Sequence, residues 1–328
     1  MPSLNIFQDD AFSLASLTAA VQNVPYQPGR IGQSGIFSED GINTLDVYVE
    51  SENGVLQLVP VGQRGTPAKP IAHETRVARS FRVPHLPVDD LLTADSILGV
   101  RSFGAESELE TVAKVVAKRL APMRNSLEYT LESHRLAAIM GTYYSAQGAA
   151  VSLFDEFGVT QQTVAMALGT DSTKVRARCL ELLEKTEDAL GGLSFTGVHA
   201  YCGKDFWTKL IEHPALKDTV LNTAMAASLR EDPRQVVEYG GVTWERYRGT
   251  SAVKVPDAEA FAFPVGVPDL FITRFAPADY VETVGTIGQR IYAKQWNTEG
   301  DKAIKLEAQM NPLNICTRPR ASIKLTTN

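Results

Sequence analysis

The chain has 328 residues, with 32 Lys and Arg against 38 Asp and Glu, a formal net charge of −6, and 44% hydrophobic and 21% charged residues. Those proportions are ordinary for a folded globular protein, and the length suffices for one large core or two modest domains. The acidic balance argues against a dedicated nucleic-acid binder, whose footprint is a basic face. No run approaches the roughly 18 apolar residues of a membrane span. Asp9 and Asp10 occupy the start where a secretory signal carries basic residues. Cys179, Cys202 and Cys316 are far apart and form no C-x-x-C pair. They are expected to be buried, reduced and inert, with no disulfide framework and no zinc site.

The first stretch, residues 1–35, has one amphipathic segment, Asp9 to Val21, followed by a run with Pro25, Pro28, Gly29, Gly32 and Gly35 that reads as loop or extended chain. It is expected to be an arm without a core of its own. Residues 36–90 read as β. Thr44 to Glu50 alternates, Asn53-Gly54 is a hairpin turn signal, and Val55 to Val61 reads as the returning strand. A Gly/Pro-rich tip, Gly62 to Pro70, precedes a further alternating run from Thr75 to Val83. Between residues 64 and 82 stand Arg64, Lys69, Arg76, Arg79 and Arg82 against Glu74 alone, a local net of +4. That is either a solvated hairpin face or an arm lying on an acidic partner.

Ala105 to Met140 is a long helix. Ser102 or Ser107 is its expected cap, and Glu106, Glu108 and Glu110 sit where the helix dipole favours negative charge. Leu109, Val112, Val116, Leu120, Met123, Leu127, Leu131 and Ala138 form one apolar stripe, and Pro122 is expected to kink the helix. Gly148 to Phe157 reads as strand or hairpin. Helices are expected at Ser172 to Leu190, capped by Asp171 or Ser172, at Lys204 to Glu212 and at Pro214 to Leu229. Val198 to Cys202 reads as a buried strand, and residues 236–247 as a hairpin turning at Gly240-Gly241. Ala260 to Phe263, Leu270 to Ala276 and much of Arg290 to Leu325 read as extended.

Chemistry-bearing motifs are scarce. Gly29-x-x-Gly32-x-x-Gly35 has the wrong spacing and context for a dinucleotide fingerprint, and Gly203-Lys204 lacks the rest of a phosphate loop. His73, His85, His134, His199 and His213 form no helical metal pair, and a lone histidine such as His134 reads as structural. Asp89-Asp90 and Asp155-Glu156 are adjacent acids whose side chains point different ways. Asp89-Asp90, after Pro87, reads as the cap of a turn. No catalytic residue, cofactor or metal is named by any motif, which lowers the expectation of an enzyme.

The order of parts is more specific: arm, long basic hairpin, one long helix, mixed α/β body, extended return. It resembles the major capsid proteins of tailed bacteriophages and is most similar to the lambda-type family, the major capsid protein E family. The likeness covers the layout of the whole chain. Its specific residues are Leu153-Phe154-Asp155-Glu156-Phe157-Gly158-Val159, and the run Phe275-Ala276-Pro277-Ala278-Asp279. The latter continues through Thr286-Ile287-Gly288 and Tyr292-Ala293-Lys294-Gln295 to Asn311-Pro312-Leu313 and Cys316-Thr317-Arg318-Pro319.

The resemblance implies an α+β chain with the HK97-like phage capsid fold. Its parts would be an N-terminal arm at 1–35, an extended loop at 36–90, a peripheral domain with the spine helix at 91–145, an axial domain at 146–284 and a C-terminal return to the peripheral domain at 285–328. It implies a head protein that self-assembles as hexamers and pentamers into an icosahedral shell around double-stranded DNA, with no sequence-specific DNA contact and no membrane. The expected setting is the virion, assembled in the host cytoplasm. A separate scaffolding protein is expected, because the chain starts directly with its arm, together with a portal and a decoration protein. Some shells of this fold carry a lysine–asparagine crosslink, and Lys69 lies near the tip. The lambda-type relatives lack that chemistry, so no crosslink is expected. Arg64, Lys69, Arg76, Arg79 and Arg82 are expected to meet Glu106, Glu108 and Glu110 of neighbouring subunits. An encapsulin-like compartment of the same fold and an unrecognised α/β enzyme are the alternatives.

Overall fold

A computed structural model of the chain describes residues 9–25, 29–51, 77–93, 108–221 and 236–328. The strand Val55 to Val61, the tip, Arg64, Lys69, Arg76, Glu106, the two serine caps and the helix end at Leu229 lie outside these residues.

The arm begins with a turn of 3-10 helix, Asp10–Phe12, and helix α1 (Leu14–Asn23), capped by Ser13, whose hydroxyl accepts from the Ser16 amide. The expectation of an arm without a core is corrected here. Phe12, Leu17 and Val21 are buried against the long helix and a neighbouring sheet, because they line one helical face. The glycine-rich run is also not extended: Arg30–Ser34 forms a short helix, α2, with Ile31 buried.

Strand β1 (Phe37–Gly41) runs parallel to a later strand, and β2 (Asp46–Ser51) pairs antiparallel with β3 (Val77–Arg82). Strand β4 (Leu86–Thr93) follows. Of the stretch 36–90, then, only β2 and β3 form the two-stranded ladder. β1 and β4 are built into other sheets. Asp89 and Asp90 stand inside β4 rather than at a turn. They are paired with Lys305 at 2.7 Å and Arg119 at 3.3 Å, so cross-strand and helix partners satisfy them.

The long helix, α3 (Glu108–Ile139), is a single element through Pro122, about 48 Å at 1.5 Å per residue. Val112, Val116, Leu120, Met123, Leu127 and Leu131 are buried in one cluster, as the stripe predicts. Strands β5 (Thr142–Tyr144) and β6 (Ala150–Ser152) make a hairpin. The expected strand after it is instead helix α4 (Leu153–Phe157), because Ser152 caps the Asp155 amide and Gly158 ends the turn.

Strand β7 (Thr163–Ala165), helix α5 (Val175–Leu190), strand β8 (Gly197–Cys202) and helices α6 (Lys204–Glu212) and α7 (Pro214–Leu221) come next. Helix α5 starts after Lys174, later than expected, and without a side-chain cap. Strands β9 (Val237–Tyr239) and β10 (Val242–Arg246) form the expected hairpin, and Gly240 and Gly241 both adopt the positive φ that such a turn needs. Strands β11 (Glu259–Val265), β12 (Phe271–Phe275), β13 (Tyr292–Asn297), β14 (Ala303–Met310), β15 (Pro312–Cys316) and β16 (Ile323–Thr326) complete the chain.

Three sheets organise these strands. The largest has the order β7-β16-β11-β8-β10-β9, and its core includes Trp207, Trp244, Phe206 and Cys179. A second, β13-β14-β4, shares a core with α1 and α3, and the third is β1-β12-β15. The tail therefore divides. β13 and β14 form a sheet with β4, whereas β16 lies inside the six-stranded sheet, hydrogen-bonded to β11 and β7. Ile323 and Leu325 are wholly buried there, which accounts for the placement. All three cysteines are buried, and burial pushes the Cys179 and Cys316 thiols up to about 12.

Candidate functional site

Of the residues expected to join subunits, Arg79 and Arg82 lie on β3, and Glu108 and Glu110 in the first turn of α3. Arg79 is engaged within its own chain. Its Nε donates to the Glu156 carbonyl at 2.6 Å, its second amino group to the Phe157 carbonyl at 3.3 Å, and its guanidinium lies 5.0 Å from the Phe157 ring centre. These are the carbonyls that the last turn of α4 leaves without helical donors, so a cation there suits the helix end. Arg79 thus pins the base of the β2–β3 ladder to α4. Arg82 is exposed and stands opposite Asp46 in that ladder.

Beside the ladder is an apolar surface that composition alone does not reveal. Val281, Val284 and Ile287 are 88%, 80% and 70% exposed, and Tyr48 and Leu45 on or next to β2 are also exposed. Leu45, Val281 and Val284 line one cleft of about 620 Å³ with Arg82, His85 and Asp279. A single 3-10 turn, Val281–Thr283, sets Val281 and its C-cap Val284 three residues apart, and Ile287 follows beyond Gly285. The signal in sequence was Val-x-x-Val-x-x-Ile running up to and across Gly285.

A junction of charge on α3 went unread in the sequence. Arg124, Glu128, Glu132 and Arg135 follow one another on α3 at steps of four, four and three, and all four are buried. Arg124 donates to the carbonyls of Val21 at 2.6 Å, Val24 at 2.8 Å and Gln22, the exposed C-terminal end of α1. Glu128 receives Arg290 in a two-bond fork at 2.9 and 2.7 Å, and Arg290 also reaches Glu39 at 2.7 Å. Glu132 accepts from the Ile31 amide at 2.8 Å, the Gly32 amide at 3.1 Å and the Tyr247 hydroxyl at 3.1 Å. Arg135 bonds Glu39 at 2.5 Å and Thr273 at 3.3 Å, and its guanidinium packs over Phe37.

A second pair stands beside this ladder. Arg30 forms a fork on Glu245, one limb at 3.0 Å, and His199 approaches the same carboxylate at 3.2 Å. Burial alone would raise the Glu245 carboxyl, but the close approach of His199 and the Arg30 fork outweigh it and hold it below its ordinary range. The same bond raises Arg30 above its own. Burial first, then the Glu132 charge, pushes the Tyr247 phenol up. The arrangement ties α3 to α1, α2, β1, β12 and the segment at Arg290, and α2 in turn to the end of β10, by hydrogen bonds of which most carry charge. In sequence its trace was a row of charges stepping alongside the apolar stripe, indistinguishable there from the solvated face of any amphipathic helix.

Likeness to known proteins gives these features a setting. The family profile described as "Phage major capsid protein E" matches residues 13–327. The chain belongs to that family. The major capsid protein of Salmonella phage Felix O1 is 27% identical, with 94% of each chain covered. That of Pseudomonas phage KPP10 is 28% identical, over 95% of this chain and 96% of that one. Among solved structures, the capsid of cyanophage P-SCSP1u superposes with a TM-score of 0.55 at 11% identity, covering 92% of this chain and 89% of that one. At that identity the likeness speaks for the fold: α+β and HK97-like, as the sequence reading expected. The function is that of a major capsid protein of phages. In a member of this family, the open apolar surface and the charged junction become properties of a shell subunit.

Proposed function

We propose that copies of this chain assemble as hexamers and pentamers into a closed icosahedral shell around the double-stranded DNA of a phage. The observation that carries the reading is the row Val281, Val284 and Ile287, each at least 70% exposed, next to exposed Leu45. An apolar row of this kind is a contact surface for another protein, and in a shell subunit the occupant is a second copy. Arg79 is taken up by its own chain, so the charged contacts fall to Arg64, Lys69, Arg76 and Arg82, facing Glu106, Glu108 and Glu110 of neighbours. Each exposed pair is worth only about 0.2–1 kcal/mol, but it repeats around the shell. The net charge of −6 fits a container that does not trap its genome.

Scaffolding, portal and decoration functions belong to other proteins in this reading, no crosslink forms at Lys69, and the chain has no catalytic role. Assembly takes place in the host cytoplasm and the product is the virion shell. The test is the triple variant V281D/V284D/I287D. Exposed positions tolerate such changes within about 0.5 kcal/mol, so the subunit stays folded while its assembly fails. Normal shells of that variant by negative-stain electron microscopy would overturn the proposed surface. Native particles that lack nuclease-protected DNA would overturn the proposed genome container.

A further inference from the structure

The structure assigns to Glu132 the part of a releasable clamp. Its carboxylate holds the segment Gly29–Ser34 against the long helix, so that this segment is a strap that opens while the rest of the arm stays docked.

The strap is held mainly by polar contacts. Helix α2 has five residues, too few to persist alone in water. Its N-cap, Gly29, offers no side-chain oxygen to the first-turn amides. That task falls to Glu132, a hundred residues away, with one oxygen on the Ile31 amide and the other on the Gly32 amide. A Cβ at residue 29 would overlap the Glu132 carboxyl carbon, so the close approach needs the glycine. The single buried apolar anchor of the strap is Ile31, whereas the preceding part of the arm is held by Phe12, Leu17 and Val21. The two parts therefore differ in balance: the first has three apolar anchors besides the Arg124 bonds, whereas the second has one and depends more on charge.

The surroundings leave room for movement. A cleft of about 630 Å³ lies between the arm, the long helix and the six-stranded sheet, and Gly29, Arg30, Glu132 and Tyr247 line it. Tyr247 donates to the same carboxylate and Arg30 pairs with Glu245, so the strap is tied at once to α3 and to the end of β10. When it opens, the arm is uncoupled from that sheet without loss of a core. Segments with few apolar contacts and bonds beside solvent open locally before the whole chain does.

Hydrogen exchange of the full chain, read by mass spectrometry on peptides covering 29–35 and 14–23, tests the clamp. With Glu132→Gln the 29–35 peptide should exchange at least tenfold faster, and the 14–23 peptide at its original rate. Gly29→Ala, which leaves the carboxylate in place and pushes it away by bulk, should do the same. Unchanged exchange at 29–35 in both variants would overturn the clamp. Parallel loss of protection at 14–23 would overturn the separate strap. Global unfolding of both variants would overturn release without unfolding.

Discussion

Replacing His134 with Phe should remove a defined part of the acid sensitivity of this chain. His134 lies on α3, nine-tenths buried, with its ring stacked on Tyr144 at 4.3 Å between centres. Burial pushes its imidazole down to about 4 from an ordinary 6.5. Above pH 6.5 the ring is neutral in the folded and the unfolded chain, and it contributes no pH dependence. Between 6.5 and 4 only the unfolded chain takes up the proton, so the folded state loses stability as the pH falls. Below 4 both states are protonated and the loss levels off. At about 1.4 kcal/mol per pH unit, the total is about 3 kcal/mol. Phe keeps an aromatic ring against Tyr144 and cannot titrate. Urea unfolding of the full chain and of the variant at pH 7, 6, 5 and 4 gives the difference in stability, from which all other titrating groups cancel. That difference should shift by about 3 kcal/mol in favour of the variant from pH 7 to pH 4. A difference that stays constant within about 0.5 kcal/mol would refute the reasoning.

The Glu128–Arg290 fork should show a coupling of about 2 kcal/mol in a double-mutant cycle of Glu128→Gln and Arg290→Gln, read by urea unfolding. A coupling near zero would mean that solvent replaces the pair freely. Arg124→Met should cost about 2 kcal/mol, because three carbonyls at the end of α1 lose a charged donor. The same variant should speed amide exchange in the last turn of α1. Glu245 is held below its ordinary range, so its contribution is present above about pH 4.5 and is lost as the pH falls through its lowered value. Glu245→Gln should accordingly flatten the acid limb of the stability curve below that point. The three cysteine thiols should resist a thiol reagent at pH 8 in the folded chain and react fully in denaturant, since all are buried.

Much of this fold is legible in the sequence where one local pattern decides the outcome. The apolar stripe of α3 needs only a 3.6-residue period and one core to face, and its buried members are the expected ones. The β9–β10 hairpin needs only two glycines between alternating runs. The Val-x-x-Val-x-x-Ile row was also present in the sequence, but exposure is a property of what surrounds a segment. Its meaning waited on the fold.

The misread elements share another cause. Leu153–Phe157 is apolar enough for a strand, and a serine cap and a glycine stop turn it into helix. Gly29 to Gly35 has loop composition, and it is helical because a glutamate from α3 supplies the missing cap. Arg79 reads as one of five free cations, yet its partners are two carbonyls of a helix end more than 70 residues away.

By itself, the sequence determined the family, through a resemblance over runs of residues, and the long helix with its buried face, through short-range periodicity. Neither needs knowledge of distant contacts. Only the tertiary structure decided that β16 closes the six-stranded sheet, that the arm has a core against its own chain, and that Arg124, Glu128, Glu132 and Arg135 form one junction. Each of those depends on which groups far apart in the chain share a low-dielectric interior. There an unpaired charge is costly, and its partner is fixed by geometry rather than by sequence distance.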